Sequence, residues 1–427
     1  MDLAGYLLKN LGIKDLSERS LRTAIAACAS AIDNTERKQI NREVAHNVIK
    51  LTEKQISGNN YPVIGAPSAL PHTKVLGVNH AGPLDITIEW KTGPNGDLEL
   101  DRCHVDPGGD QVNVSKVFSN FDRNIALVAL TGQADGEITR QWEKNFLTGR
   151  IIPSLIRDNR EDSLAAIYHI IDGDILPGIF AWQEELSEET ILAINNSTLS
   201  MLGEMSKGSS GNIWMVISAG GPLRYNADLA YYSSLIRNVK AKYQDRVKLL
   251  IDFKFMAGPE EALSVLEVPR DIPQDIIKPN LEEFIQLLVS SGLAEPGTLD
   301  KNTITEDLIR KLAVQLREKY NLMGVLVSMD RHGLMLAATD RIIREKGVKI
   351  QPGCHTAAGD SLKAGFVLAL SDGKTFEEAV HAANLFGAST ASMEGSKTVT
   401  PEKLAEIETL ARSQNVAPEV EPLSEKT

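Results

Sequence analysis

Apolar and polar positions follow two patterns along this chain. Short continuous apolar runs, such as 125–130 and 213–217, are typical of strands buried on both faces. Longer segments with apolar residues at helical spacing, such as 228–243 and 306–320, predict amphipathic helices. Strands that alternate with such helices predict one large α/β domain with a mainly parallel sheet covered on both faces. Ligands of these sheets bind beyond the carboxyl ends of the strands.

The same patterns give an element order. We predict strands at 74–78, 125–130, 165–171, 213–217, 247–252, 276–278 and 325–328, and helices at 228–243, 281–289, 306–320 and from Phe376 and Pro401. Residues 84–90 and 98–105 flank a GPNG turn and predict a hairpin that serves as a flap. Apart from its one strand, the segment 151–186 looks irregular.

The chain divides into four parts. Residues 1–58 carry two helical apolar stripes and predict a helical extension, and the Gly, Pro and Asn content of 59–73 is typical of a linker. We assign 74–412 to the main domain, with lid strands around 85–105 and 165–182. The charged, proline-containing segment 413–427 predicts a disordered tail.

Composition narrows the class of protein. A net charge of −12 and a pI near 5.3 argue against nucleic acid as the main partner. No apolar run is long enough to span a membrane, and the N-terminus lacks a signal pattern. Cys28, Cys103 and Cys354 match no zinc or redox spacing, so we expect a cytoplasmic protein. A homodimer is the expected assembly.

The stretch HTAAGDSLKAGFVLAL, 355–370, carries the strongest candidate chemistry. Small residues precede Asp360, which opens an apolar run with helical spacing. Free backbone N–H groups and the helix dipole make such a turn an anion site, and a carboxylate beside it can accept a proton. The alternative is that Asp360 only caps the helix.

Three other motifs follow predicted strands or open predicted helices. They are GGDQVN at 108–113, KPNLEEF at 278–284 and VSMDRHG at 327–333. In KPNLEEF, Asn280 and Glu283 are three residues apart at a helix start and share one face. The alternative for this pair is an N-cap with a first-turn acid.

These motifs, in this order, resemble the ribokinase-like carbohydrate kinases, also called the PfkB family. The resemblance runs from about Lys74 to Lys397 and is closest to the phosphosugar branch, which includes 1-phosphofructokinase and tagatose-6-phosphate kinase. It implies a three-layer αβα fold with a mainly parallel sheet and a small β lid. It also implies ATP and Mg²⁺ as cofactors and a sugar or sugar phosphate as substrate.

The resemblance assigns roles to individual residues. Asp360 would be the base, with the N–H groups of Ala358, Gly359 and Asp360 as the anion hole. Asn280 and Glu283 would organise magnesium, mostly through water. Nucleotide contacts would come from Ser328, Gly333, Lys278 and Asn384.

Further residues would bind the sugar. Asp85 would accept hydrogen bonds from two hydroxyls, the backbone of Gly108 and Gly109 would lie against the sugar, and Asn113 would bond a hydroxyl. Arg157 resembles the arginine that holds the substrate's existing phosphate. The alternatives are a surface acid at Asp85 and a solvated arginine at Arg157.

The chain departs from the family pattern at several positions. Ala357 replaces the first glycine of the turn, which costs about 1 kcal/mol if the backbone there has positive φ. Asp110 replaces a lysine that could meet a phosphate, and Gln111 replaces a glycine. In the nucleotide motif Asp330 replaces the glycine, and carboxylates at 110 and 330 could repel anions.

Two classes of function follow. The first is a magnesium-dependent kinase that transfers a phosphoryl group from ATP to a sugar or sugar phosphate. The second, favoured by the altered motifs and the helical extension, is a non-catalytic descendant that binds a sugar or nucleotide for regulation or assembly. A nucleoside kinase is a third reading that the KPN segment and Arg157 disfavour.

Overall fold

The structure is a computed structural model. It describes residues 67–79, 84–92, 94, 98–131, 150–157, 165–171, 174–175, 179–180, 187–208, 211–220, 226–254, 263, 265–268, 273, 275–351, 353, 357–393 and 397–423. The predicted helical extension at 1–58 lies outside these residues.

The described elements alternate as the sequence pattern predicts. The strands are β1 Val75–Asn79, β2 Leu84–Thr92, β3 Leu98–Pro107, β4 Ile125–Thr131, β5 Ile151–Arg157, β6 Ala165–Ile171, β7 Asp174–Ile175, β8 Ile179–Phe180, β9 Ile213–Gly220, β10 Val247–Lys254, β11 Asp275–Lys278, β12 Gly324–Ser328, β13 Leu334–Ala338, β14 Arg341–Glu345 and β15 Glu419–Pro422. The helices are α1 Asp110–Asn120, α2 Glu188–Gly208, α3 Asn226–Tyr243, α4 Leu281–Ser290, α5 Glu306–Lys319, α6 Ala358–Ser371, α7 Phe376–Ala391 and α8 Pro401–Ser413.

Ten of the described strands form the main sheet, in the order β15-β14-β13-β12-β11-β10-β9-β1-β4-β5. Neighbours from β5 to β12 are parallel, whereas β12 to β15 pair antiparallel. The mainly parallel sheet predicted from the sequence is therefore confirmed, with an antiparallel extension at one end.

Helices cover both faces of this sheet. Alternate strand residues point to opposite faces, so Val75 belongs to the core that contains residues of α1, α6 and α7, whereas its neighbour Leu76 belongs to the core that contains residues of α2 to α5. Phe366 of α6 and Phe284 of α4 are buried in these two separate cores. The predicted three-layer αβα architecture is confirmed.

A second sheet forms the predicted lid. Its order is β3-β2-β6-β7, with β8 pairing with β6. The hairpin β2–β3 is antiparallel, and β6 joins β2 in parallel over seven residue pairs. The two segments that the sequence predicts as lid strands thus meet in one sheet.

The structure corrects two predictions near strand ends. Residues 151–157, predicted as irregular, form β5 at the edge of the main sheet, where Pro153 is tolerated because an edge strand needs fewer N–H donors. Residues 419–422, predicted as part of a disordered tail, form β15 on β14. Charges and a proline fit an edge strand as well as a disordered segment, so composition misled that prediction.

The predicted linker at 59–73 also contains structure. Pro67–His72 is a short 3-10 helix, and Leu70 is buried in the core that contains α2. Residues 59–66 lie outside the described part of the chain. The last helix starts at Pro401 as predicted and is capped by Thr400, whose side chain accepts a hydrogen bond from the Lys403 N–H.

Candidate active site

The turn before α6 has the strained backbone that the motif comparison predicts. Ala357 has φ 63° and ψ 2°, in the left-handed region where a Cβ costs about 1 kcal/mol. The Ser361 N–H donates to the Ala357 carbonyl. The N–H groups of 358–360 precede it in the first turn, where the helix itself provides no acceptor for them. N–H groups at this position of a helix are suited to binding an anion.

Asp360 lies inside the protein at this turn. It is 5% exposed and is the third residue of α6, whose N-cap is Ala357. The Asn113 Nδ2 donates to Asp360 Oδ2 at 2.9 Å, and the Lys363 Nζ lies 2.9 Å from Oδ1. Asp360 is therefore not the N-cap residue of α6, and its carboxylate contacts Asn113 from another motif.

Asn113 reaches this carboxylate because α1 starts at the glycine pair. Gly109 has φ 99°, a conformation that suits glycine, and Asn113 N–H donates to its carbonyl at 2.9 Å. The Gly108 backbone is buried beside it. The glycine motif and the Asp360 turn, 247 residues apart, thus meet as one site.

Lys363 connects Asp360 to a second buried carboxylate, Asp252, which also pairs with Lys278. Lys363 Nζ lies 2.7 Å from Asp252 Oδ2, and Lys278 Nζ lies 3.1 Å from Asp252 Oδ1. Lys278 Nζ would also be 3.5 Å from a Cβ built on Gly359, so its ammonium lies against the anion turn. Lys278 was predicted to contact nucleotide, and the structure places it at the turn that would hold a phosphoryl group.

Sequence reasoning missed Asp252 and Lys363. Both have 0% exposed side chains. The available signals were an aspartate directly after the apolar run of β10 and a lysine between Leu362 and Ala364 in an otherwise buried helix. A buried charge of this kind is rare unless it is paired, so it marks a polar network.

Asp110, whose carboxylate stands where the family pattern has a lysine, belongs to the same network. Carboxylate oxygens of Asp110, Asp252 and Asp360 lie within 4.8 Å of one another. The two ammonium groups of Lys278 and Lys363 offset this negative charge. Asp330, the other new carboxylate, is exposed in a 3-10 turn after β12 and is not part of this cluster.

Asn280 and Glu283 form a capping box at the start of α4. Asn280 Oδ1 accepts from the Glu283 N–H at 2.9 Å, and Glu283 Oε2 accepts from the Asn280 N–H at 2.8 Å. The capping alternative left open for this pair is thus present. An amide oxygen and a buried carboxylate are also ligands that suit Mg²⁺, so this donor set fits the implied ion.

The nucleotide motif adjoins this pair through the sheet. Ser328 ends β12 and forms a parallel bridge with Asn280. Gly333 has φ 96°, and a Cβ there would lie 2.1 Å from the Glu345 carbonyl oxygen. Glycine at 333 is therefore required by the close approach of two backbone segments.

Asn384 lies in a different cluster from the base. Its Nδ2 donates to Glu345 Oε1 at 2.9 Å and to the Lys346 carbonyl at 2.8 Å. His381 Nδ1 is 2.8 Å from the same Glu345 oxygen, and this hydrogen bond raises the pKa of His381. Asn384 therefore anchors the end of β14 in the structure.

Two predicted sugar residues are placed by backbone alone. Asp85 lies in β2 opposite Asp106 of β3 and Ala166 of β6. Arg157 ends β5 opposite Thr131. Their predicted roles in sugar and phosphate binding stay predictions.

A family match covers the second half of this site. Residues 261–403 match the model of the pfkB family carbohydrate kinases. This segment, about a third of the chain, contains KPNLEEF, VSMDRHG and the Asp360 turn. The resemblance to the PfkB carbohydrate kinases stated from the sequence is confirmed.

Solved structures extend the likeness over most of the chain. Phosphofructokinase-2 from Escherichia coli, in complex with substrates and products, is 16% identical with a TM-score of 0.64 and covers 79% of this chain and 99% of that one. A possible 1-phosphofructokinase from Thermotoga maritima is 18% identical with a TM-score of 0.61, covering 82% and 99%. Ribokinase from Thermotoga maritima is 18% identical with a TM-score of 0.53, covering 78% and 99%. The fold is ribokinase-like.

Two searches gave negative results. A comparison with curated proteins yields no match. Within the described residues, no helix is both long and apolar enough to cross a membrane.

Proposed function

We propose that the protein is a carbohydrate kinase that transfers a phosphoryl group from ATP to a hydroxyl of a sugar or sugar phosphate. The observation that carries this proposal is the buried Asp360 carboxylate at the first turn of α6, bonded to Asn113 of the glycine motif. A proton acceptor, a set of backbone donors and a sugar-binding motif thus lie together. The homodimer predicted from the sequence stays a prediction.

In the proposed reaction Asp360 is the general base. The acceptor O–H bond breaks and its proton goes to the carboxylate, while the acceptor oxygen forms a bond to phosphorus and the bond to the leaving oxygen breaks. Asn113 donates to one carboxylate oxygen and so fixes the orientation of the group. The acceptor hydroxyl would lie near the Asp360 carboxylate.

The turn itself would stabilise the moving phosphoryl group. Three first-turn N–H groups, at 358–360, point out of the helix end with its dipole behind them. Lys278, held against Gly359, would add a positive charge at that end. Asn280 and Glu283 would hold Mg²⁺, which supplies charge neutralisation on the phosphates when bound.

The first test compares turnover with matched acid-to-amide variants. ADP release is measured for the purified protein with ATP, Mg²⁺ and a panel of sugars, sugar phosphates and nucleosides. Asp360→Asn should lower turnover by about 10²- to 10⁴-fold because it removes the base while keeping the side-chain shape. Asp372→Asn, at the opposite end of α6 and paired with Arg123 on the surface, is the control and should change turnover by less than about twofold.

The outcomes separate the two classes of function. Asp360→Asn with most of its turnover retained would contradict the role of base. Ligands that raise the melting temperature of the wild type without ADP release would favour a binding protein descended from the kinases. The altered charge at Asp110 is the structural feature that favours this second candidate.

A further inference from the structure

Lys363 occupies an unusual position for a lysine. Its side chain is 0% exposed and lies on α6, one turn after Asp360. Its ammonium group is 2.7 Å from Asp252, 2.9 Å from Asp360 and 3.5 Å from the Ser218 hydroxyl. It therefore bridges the candidate base to a carboxylate on a neighbouring strand.

Such a lysine must be paired, since burying a charge alone is very costly. Two carboxylates compensate it here. Conversely, without the ammonium those carboxylates would face each other within 4.8 Å in the interior. Like charges at this distance favour uptake of a proton by one of the pair, and a protonated Asp360 cannot accept the proton of a hydroxyl.

The bridge also extends to the anion turn. Asp252 is held from its other side by Lys278, and that ammonium lies against Gly359. One chain of contacts therefore connects the Asp360 carboxylate, through Lys363, Asp252 and Lys278, to the backbone at Gly359. The charged and polar groups facing Asp360 are Lys363 on its own helix, Asn113 and Asp110 on α1, Asp252 on β10 and, through Asp252, Lys278 on β11.

We propose that Lys363 is a positioning residue for the reaction, which holds Asp360 ionised and oriented by tying it to Asp252. This inference rests on the proposed kinase function. Lys363 keeps its own protons throughout, and the proton from the acceptor hydroxyl goes to Asp360. The lysine acts through the base and does not touch the reacting atoms.

The test uses Lys363→Met, which keeps the length and removes the charge, and the double variant Lys363→Met, Asp252→Asn, which also removes the opposing carboxylate. The readout is the pH profile of kcat/KM for the substrate that the panel identifies. In Lys363→Met the rising limb should move to higher pH by about one unit or more, because a like charge now opposes ionisation of the base. In the double variant it should return toward the wild-type position.

A purely structural lysine would behave differently. It would lower kcat/KM by the same factor at every pH, with the limb unmoved, and that result would overturn the proposal. Lys374→Met, an exposed lysine just after α6 that pairs with Glu378, is the control and should leave the profile unchanged. If Lys363→Met does not fold, Lys363→Arg replaces it and should keep the wild-type limb.

A second measurement needs no turnover. Urea unfolding of both variants is followed from pH 5 to pH 8. The facing carboxylates of Lys363→Met should share a proton in the folded protein, so its stability should fall relative to the wild type as pH rises. The double variant should lack this fall. An equal pH dependence in all three proteins would contradict the proposal, whereas absence of turnover in the wild type alone would count only against the kinase function.

Discussion

Two buried carboxylates in this protein have similar sets of partners, but their basic partners differ in exposure to water. Asp360 of α6 accepts a hydrogen bond from Asn113, and Glu345 at the end of β14 accepts one from Asn384. Both acids are 5% exposed or less. Each also contacts a basic side chain, so the same arrangement of acid, amide and basic group occurs at the start of α6 and at the end of β14.

The basic partners make the difference. Lys363, beside Asp360, has a 0% exposed side chain, whereas His381, beside Glu345, has 38% of its side chain exposed. The Lys363 ammonium is enclosed by two carboxylates, whereas the hydrogen bond to Glu345 raises the pKa of the partly exposed His381. The two clusters therefore differ in the kind of basic group they contain and in its access to water.

Matched acid-to-amide changes give the largest expected contrast. Asp252→Asn leaves Lys278 and Lys363 in the interior without their shared counter-charge, and breaking a buried pair in this way costs about 3–5 kcal/mol. Glu345→Gln should cost about 1 kcal/mol at pH 8, because His381 can become neutral. The free energy of unfolding in urea measures both, and equal losses would remove the distinction between the two clusters.

The helices that carry these clusters meet at a glycine, which gives a test of intermediate size. A Cβ on Gly365 of α6 would lie 2.7 Å from the Phe386 ring and 2.9 Å from the Ala382 carbonyl of α7. Gly365→Ala should therefore destabilise the protein by about 1–3 kcal/mol through overpacking. Gly211→Ala, where a Cβ meets no atom within 4 Å, is the control for the urea measurement. The same loss in both variants would show that helix contact is not the cause.

The smallest expected effect is the pH dependence of the second cluster. The hydrogen bond to Glu345 raises the pKa of His381 above its ordinary value of about 6.5, against an opposing effect of burial. A raised pKa in the folded protein stabilises it fully below that ordinary value, and the stabilisation disappears as pH rises through the folded-state pKa. Relative to the wild type, His381→Gln should lose less than about 1 kcal/mol at pH 5.5 and nothing at pH 8.5.

Urea midpoints across this pH range check the expectation. The partly exposed position of His381 keeps the effect small. A deficit that grows toward high pH would contradict the assigned sign. His381 contacts Glu345, so the comparison predicts that this pH dependence belongs to the Glu345 cluster.

The sequence predicted the strands, helices and motifs that form the site better than the buried charges inside it. Apolar periodicity placed the parallel strands and most helices, and four motifs placed Asp360, Asn113 and Asn280 at strand ends or helix starts. The Asn113–Asp360 contact was harder to predict, because the glycine motif follows β3 of the second sheet and the Asp360 turn follows β14, an antiparallel strand of the main sheet.

The missing parts depend on tertiary contacts. Asp252 and Lys363 are 111 residues apart, and although each stands out as a charge beside apolar residues, the pattern does not show that the two pair with each other. The antiparallel strands β13 and β14 were also missed, since they follow the nucleotide motif as short apolar segments without a strong turn signal. The ion pair and the two strands both depend on contacts between separate parts of the chain, which a single sequence does not show.

The last described strand, β15, covers the free edge of β14 along Arg341–Arg344. A truncation after about residue 418 would uncover that row of backbone donors and acceptors next to the Glu345 cluster. An uncovered edge of this kind is a template for a strand from another molecule. Shortened versions of the protein would then be prone to self-association, which β15 prevents by pairing with β14.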